Sequence, residues 1–120
     1  MSLDNEKCLK IDVSSPAVGD DEARGLVQQI DGWSIVKEDG ITKLRREFRF
    51  KTYLQTIVFS NRIEGVSESE RHFPLMLYET DKIVVTWWTQ KINNLHRNDF
   101  IMAAKTSQVY NAMDLSKLLG

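Results

Sequence analysis

Residues 75–89 read LMLYETDKIVVTWWT, and this stretch decides the fold. β-Branched and aromatic residues dominate both of its halves, Leu75 to Thr80 and Lys82 to Thr89, with little more than Asp81 between them. Two such runs joined so closely predict an antiparallel hairpin. Strict alternation puts Ile83, Val85 and Trp87 on one face of the second strand, and Val84, Thr86 and Trp88 on the other. We expect Trp87 in the core.

A second hairpin is predicted upstream. Apolar residues at Trp33, Ile35 and Val36 precede Glu38-Asp39-Gly40, and a β-rich run from Ile41 to Phe50 follows. An Asp-Gly pair between two such runs is typical of a tight hairpin turn.

Three helices surround the hairpins. A first helix starts at Asp20 or Asp21, either of which could be its N-cap, and stops at Asp31-Gly32. Thr52 caps a second helix that ends at residues 65–67, and Asn98 caps a third. The order is helix, two strands, helix, two strands, helix. We therefore predict an α+β fold: a four-stranded antiparallel sheet with three helices packed on one face, the other being solvated or used for association.

The length of 120 residues fits one domain. Residues 1–19 mix charges with Ser, Pro and Gly without any period, so we predict a flexible or loosely packed N-terminal arm. Residues 20–120 then form the single domain.

Composition narrows the possible partners and compartments. Sixteen Lys and Arg against 17 Asp and Glu leave a net charge of −1, which argues against a nucleic-acid partner. The longest apolar run, Ile83 to Trp88, is far too short to span a bilayer. The single cysteine, Cys8, excludes an intrachain disulfide and favours a cytoplasmic location. Cys8 and the two histidines lack any metal-ligand spacing, so no metal site is predicted.

Acid-base chemistry near neutral pH would begin with the two histidines, His72 and His96. His72 lies where the second helix meets the third strand, and Pro74 keeps the preceding residue extended. His72 could equally be an ordinary turn histidine. His96, in the turn before the last helix, is expected to be a surface residue.

One motif carries a family resemblance. Glu68, then His72 and Pro74, then a hairpin, then Asp99 at the start of the last helix resembles the pterin-4a-carbinolamine dehydratase family. The resemblance extends over most of the chain and implies the same order of elements. It implies dehydration of 4a-hydroxytetrahydrobiopterin to quinonoid dihydropterin and water, with no cofactor because the pterin is the substrate. It also implies a homodimer or homotetramer.

The resemblance also implies three histidines around the pterin, of which only His72 is present. Phe73 replaces the second and Gln90 the third, and neither exchanges protons at neutral pH. We therefore expect reduced activity or, alternatively, a catalytically degenerate pterin-binding or protein-assembly module. Asp99 would orient a histidine or the pterin, although an acidic residue is also favourable at any helix N-terminus. The predicted catalytic residues are His72 and Asp99. The predicted substrate-binding residues are Glu68, Phe73, Pro74, Trp88 and Gln90.

Overall fold

A computed structural model of the chain describes residues 2–113, so Met1 of the predicted arm and residues 114–120 of the predicted domain lie outside the described residues. The helices and strands are α1 (Asp20–Val27), β1 (Ser34–Glu38), β2 (Ile41–Arg49), α2 (Tyr53–Glu70), β3 (Leu75–Tyr78), β4 (Lys82–Trp87) and α3 (Arg97–Ala112). Single 3-10 turns occupy Leu3–Asn5 and Gln90–Ile92. The predicted α+β class and element order are confirmed.

The four strands form one antiparallel sheet in the order β1-β2-β4-β3, so both predicted hairpins are confirmed. Asp39 and Gly40, which join β1 to β2, both have positive φ, at 52° and 77°. Two central residues of this kind make the hairpin turn whose twist matches the strands it connects.

The core lies between the helices and one face of the sheet. Register pairs Leu44 with Trp87 and Phe48 with Ile83, and all four side chains are fully or almost fully buried. Trp87 is a core residue, as expected, and its indole Nε1–H donates to Thr106 Oγ1 at 3.2 Å. Burying one large apolar side chain contributes roughly 1.5–3 kcal/mol. The four buried side chains of these two pairs therefore anchor β2 and β4 against the helices.

The predicted N-cap of the first helix, Asp20 or Asp21, is wrong, although the helix does begin at Asp20. Asp20 is already helical, and Gly19 occupies the N-cap position without a side-chain cap. The acidic residues at 20–22 instead occupy the first turn, where negative charge is favourable.

The predicted end of α2 is also wrong. The helix passes through Gly65 and continues to Glu70, because Ile63 and Ser67 on its inner side are buried against the core. Their burial outweighs the cost of about 1 kcal/mol for a helical glycine. The capping box that Thr52 forms with Gln55 confirms the predicted start. Among residues 2–113, no helix combines the length and apolar content needed to cross a lipid bilayer.

The N-cap of α3 is His96, not Asn98 as predicted. The His96 Nδ1 accepts a hydrogen bond from the backbone N–H of Asn98 at 3.0 Å. Asn98 is therefore free to use its buried side chain elsewhere: its amide donates to Leu9 O at 2.7 Å and accepts from Leu9 N–H at 2.9 Å. These contacts hold part of the N-terminal segment against α3. The division into an arm and a domain stays a prediction.

Candidate active site

The end of α2 delivers His72 to the protein interior. Arg71 adopts the left-handed conformation (φ 56°), which ends the helix, and the backbone N–H of His72 donates to Ser67 O at 3.2 Å. The imidazole is 8% exposed and lies parallel to the Trp87 indole, with 5.8 Å between ring centroids and 12° between planes. Stacking on a core residue limits the orientations that the imidazole can adopt.

Asp99 holds the other side of this imidazole. Its Oδ1 lies 2.6 Å from Nε2 of His72, and the carboxyl group is completely buried. Its Oδ2 accepts from the Thr89 hydroxyl at 2.8 Å and from the backbone N–H of His96 at 2.9 Å. Hydrogen bonds to both oxygens replace the water that burial removes.

These contacts assign the tautomer of His72. An ionised carboxylate has no proton to donate, so opposite the Asp99 carboxylate the hydrogen in the His72–Asp99 contact belongs to Nε2. Nδ1 of His72 has no hydrogen-bond partner among residues 2–113. In that range, no fully buried side-chain nitrogen or oxygen lacks a partner, so Nδ1 is not fully buried. The Nδ1 atom therefore reaches solvent, and in the neutral ring it carries the open lone pair of a base.

His72 lies on the wall of a cleft of about 850 Å³. Three of the predicted substrate-binding residues line the same cleft: Phe73, Trp88 and Gln90. Phe73 is 55% exposed, and Gln90 is exposed at the start of the 3-10 turn after β4. The structure thus brings His72 together with Phe73 and Gln90, the two residues that the sequence analysis predicts as replacements for histidines.

The remaining predicted site residues do not line the cleft. Asp99 lies behind the cleft wall, where it contacts two residues that line the cleft, His72 and Thr89. Glu68 is exposed and pairs with Arg71 at 2.9 Å. Pro74 is half-buried at the entry to β3. Their assignment to the site stays a prediction.

The N-terminal segment forms another part of the cleft wall, through residues 7–11. The backbone N–H of Cys8 donates to Glu70 Oε1 at 2.8 Å. Burial and the neighbouring Glu70 carboxylate raise the pKa of the Cys8 thiol to about 12. The thiol therefore stays protonated at neutral pH and does not serve as a nucleophile.

The expectation that His96 is a surface residue is wrong. His96 is 6% exposed, because its role as N-cap draws the ring against the first turn of α3. Burial lowers the pKa of its imidazole, and nearby Asp99 only partly offsets this effect. A neutral His96 suits an Nδ1 that accepts a hydrogen bond.

Sequence reasoning missed three parts of the site: Thr89, Glu70 and the wall at residues 7–11. A hydroxyl residue directly before Gln90 was the only available signal for Thr89. Glu70 and Cys8 are 62 residues apart in the chain, so no local pattern could have joined them. Among residues 2–113, no three His, Cys, Asp or Glu side chains form a group that could hold a metal ion.

Comparison with known proteins gives consistent matches at the level of sequence. The family model for pterin 4 alpha carbinolamine dehydratase matches residues 16–109. A protein of Marinobacter nauticus is 38% identical over 109 residues, which cover 91% of this chain and 98% of the relative. One of Saccharophagus degradans is 37% identical over 108 residues, covering 90% and 96%. Both carry the name "Putative pterin-4-alpha-carbinolamine dehydratase".

Solved structures share the fold. A transcriptional coactivator/pterin dehydratase from Brucella melitensis matches with a TM-score of 0.72 and 24% identity, over 78% of this chain and 98% of that one. A pterin dehydratase-like protein identified as a RuBisCO assembly factor in the alpha-carboxysome matches with a TM-score of 0.57 and 20% identity, over 67% and 93%. With the family match over residues 16–109 and relatives above 30% identity, the chain belongs to the pterin 4 alpha carbinolamine dehydratase family.

Proposed function

We propose that this protein dehydrates 4a-hydroxytetrahydrobiopterin to quinonoid dihydropterin and water, at a rate below that of a site with three histidines. The observation that carries the proposal is the buried His72–Asp99 pair on the wall of a cleft that Phe73 and Gln90 also line. The reaction needs no cofactor beyond its substrate. Its place in tetrahydrobiopterin recycling follows from the chemistry of the substrate.

The reaction requires a proton to leave N5 and a proton to reach the departing oxygen on C4a. N5 and the departing oxygen are both bonded to C4a, so one imidazole can reach both atoms. Neutral His72 takes the N5 proton at Nδ1 and returns it to the leaving hydroxide, which departs as water. No net proton is gained or lost.

Asp99 acts through His72 rather than on the pterin. Its carboxylate keeps the hydrogen on Nε2 and stabilises the imidazolium that exists while His72 holds the second proton. We therefore assign Asp99 as a positioning residue. Phe73 and Trp88 supply aromatic surface to the planar pterin, and the Gln90 amide supplies a donor and an acceptor.

The reduced rate follows from the same residues. A positioned acid or base typically contributes about 10²–10⁴ in rate. With Phe73 and Gln90 in the other two positions, one imidazole does the work that the family's pattern divides among three.

The test is the dehydration of freshly generated 4a-hydroxytetrahydrobiopterin, followed by stopped-flow absorbance. The native protein should exceed the spontaneous rate, and His72→Ala should lose roughly 10² or more of that acceleration. The control is His96→Asn, which keeps an N-cap side chain and removes the other histidine. The proposal fails if the native protein neither accelerates dehydration nor binds pterin.

A second candidate function is a degenerate pterin-binding or protein-assembly module. The observation that favours it is a row of exposed apolar residues: Phe73 just before the edge strand β3, and Leu75 and Leu77 within it. The fold neighbour described as a RuBisCO assembly factor gives the scaffold a precedent for such a role. Pterin binding without turnover would favour this candidate. A homodimer or homotetramer stays a prediction, which sedimentation would test.

A further inference from the structure

The cleft that His72 lines carries an unbalanced positive charge. Within the described part of the chain, the basic residues that line it are Lys7, Lys10, Arg71 and Lys91, against the single carboxylate of Glu70. The whole chain has a net charge of only −1, so this surface departs from the average of the molecule. A groove lined by one sign of charge concentrates ligands of the opposite sign.

Two of these cations are already engaged. Arg71 pairs with Glu68 at 2.9 Å, and the Lys91 ammonium donates to Ile11 O at 3.3 Å. Lys91 also attracts the exposed carboxylate of Asp12. Because their charges already have partners, Arg71 and Lys91 contribute less to binding an anionic ligand than unpaired cations would.

The other two cations, Lys7 and Lys10, are exposed and form no ion pair with any residue of the described range 2–113. Glu70, the only carboxylate that residues 2–113 place on the cleft wall, accepts from the backbone N–H of Cys8. Two lysines thus face a cleft that offers them no ion-pair partner of its own.

The backbone that carries these lysines is held in place by hydrogen bonds to two distant segments of the chain. Asn98, which is buried, forms two hydrogen bonds with Leu9, at 2.7 and 2.9 Å. Cys8 is bound by Glu70 at 2.8 Å. Lys7 and Lys10 directly flank Cys8 and Leu9, so the backbone positions of both lysines are fixed by these hydrogen bonds. This part of the cleft wall precedes residue 16, where the family match begins.

We propose that the cleft selects a reduced pterin whose side chain at C6 ends in an anionic group, phosphate or carboxylate, and that Lys7 and Lys10 bind this anion. The inference rests on the proposed function, because it takes the pterin site as given. The volume of about 850 Å³ lies in the upper part of the roughly 300–1,000 Å³ range of ligand sites, which leaves room for an extended side chain.

The experiment is calorimetric titration of the full chain with matched ligands. One pair is 7,8-dihydroneopterin and its 3′-monophosphate; the other is 6-hydroxymethyl-7,8-dihydropterin and 7,8-dihydropterin-6-carboxylate. The anionic member of at least one pair should bind roughly fivefold to tenfold tighter at low ionic strength. This preference should shrink at high salt, because exposed charges are screened. The pair that shows it identifies the anion.

The variant that tests the lysines is Lys7→Gln together with Lys10→Gln, and its expected result is loss of the preference. The matched control, Lys37→Gln with Lys51→Gln, removes two exposed lysines that do not line the cleft and should keep it. Equal affinity within both pairs overturns the inference, as does a preference that survives in the Lys7/Lys10 variant or disappears in the control.

The outcome separates this inference from the proposed function. If the protein dehydrates the neutral carbinolamine but shows no preference for the anionic ligands, only the inference about Lys7 and Lys10 is rejected. If the protein prefers the anionic ligands through Lys7 and Lys10 but does not dehydrate the carbinolamine, only the enzymatic proposal is rejected.

Discussion

The Nε2 atom of His72 lies 2.6 Å from Oδ1 of Asp99, in a contact that joins the end of α2 to the first turn of α3. Because Asp99 is the third helical residue of α3, its carboxylate also accepts from the backbone N–H of His96. One side chain thus caps a helix and orients an imidazole. The two interpretations of Asp99 that the sequence left open are therefore compatible.

Replacing Asp99→Asn should lower both stability and turnover. The amide can accept at only one atom, and if its NH₂ faces His72, the imidazole must place its hydrogen on Nδ1, which removes the open lone pair. We expect a loss of about 1–3 kcal/mol in the free energy of unfolding. We also expect kcat to fall at least about tenfold, with KM little changed. Urea denaturation and the dehydration assay measure the two effects.

The control for this variant is Thr89→Val, which removes one hydrogen bond to Oδ2 and leaves the His72 contact intact. It should cost about 1 kcal/mol of stability while kcat falls much less. If both variants reduce kcat in proportion to their loss of stability, Asp99 is a structural residue only.

Restoring the two missing histidines should raise activity. Phe73 and Gln90 are exposed on the cleft wall, so Phe73→His with Gln90→His requires no repacking of the core. We expect the dehydration rate to rise by about 10². Stopped-flow kinetics of the double variant measures it, with each single variant as the comparison. A double variant that binds pterin but gains no rate would contradict the proposal that the replaced histidines limit proton transfer.

The burial of His96 makes stability depend on pH. Desolvation lowers the pKa of the folded imidazole below its ordinary value of 6.5, although Asp99 opposes the shift and His72 adds to it. Below pH 6.5 the unfolded chain therefore binds more protons at this site than the folded one. Its contribution to stability is complete above 6.5 and is lost as the pH falls toward the lowered folded pKa.

Urea denaturation between pH 7.5 and 5.5 should show this decline, and His96→Asn should flatten it. The lowered pKa values of Glu6, Asp12 and Glu38 act in a more acidic window, below their ordinary values of 4.5 and 3.8. An unchanged slope in His96→Asn would mean that another group causes the decline.

Among the glycines of residues 2–113, Gly32 should be the one least tolerant of replacement by alanine. Its φ is 88°, and a Cβ there would lie 2.8 Å from Nε of Arg46. That guanidinium cannot easily give way, because it lies over the Phe48 ring and donates to Ser107. We expect Gly32→Ala to cost more than the roughly 1–2 kcal/mol of left-handed strain alone. Gly40→Ala, with φ 77° and open space, measures the strain without the clash. Equal thermal unfolding midpoints of Gly32→Ala and Gly40→Ala would contradict the expected extra cost of the clash at Gly32.

The two hairpins, the three helices and the burial of Trp87 could all be predicted from local patterns in the chain. Strand alternation, an Asp-Gly turn and a Thr cap act over a few residues, so their information lies within the segment that folds. The pairing of His72 with Asp99 was suggested by the family motif. The helix ends were less predictable, since the core contacts of Ile63 and Ser67 carry α2 through Gly65.

Only the tertiary structure decided what surrounds the imidazole. The hydrogen bonds of Leu9 to Asn98 and of Cys8 to Glu70 join residues 89 and 62 positions apart, and no periodicity records such contacts. His96 took the cap position predicted for Asn98, which freed the Asn98 amide to hold the wall that carries Lys7 and Lys10. Local sequence determined the elements of this protein, whereas contacts between distant segments determined its cleft, because a cleft exists only where separate parts of the chain meet.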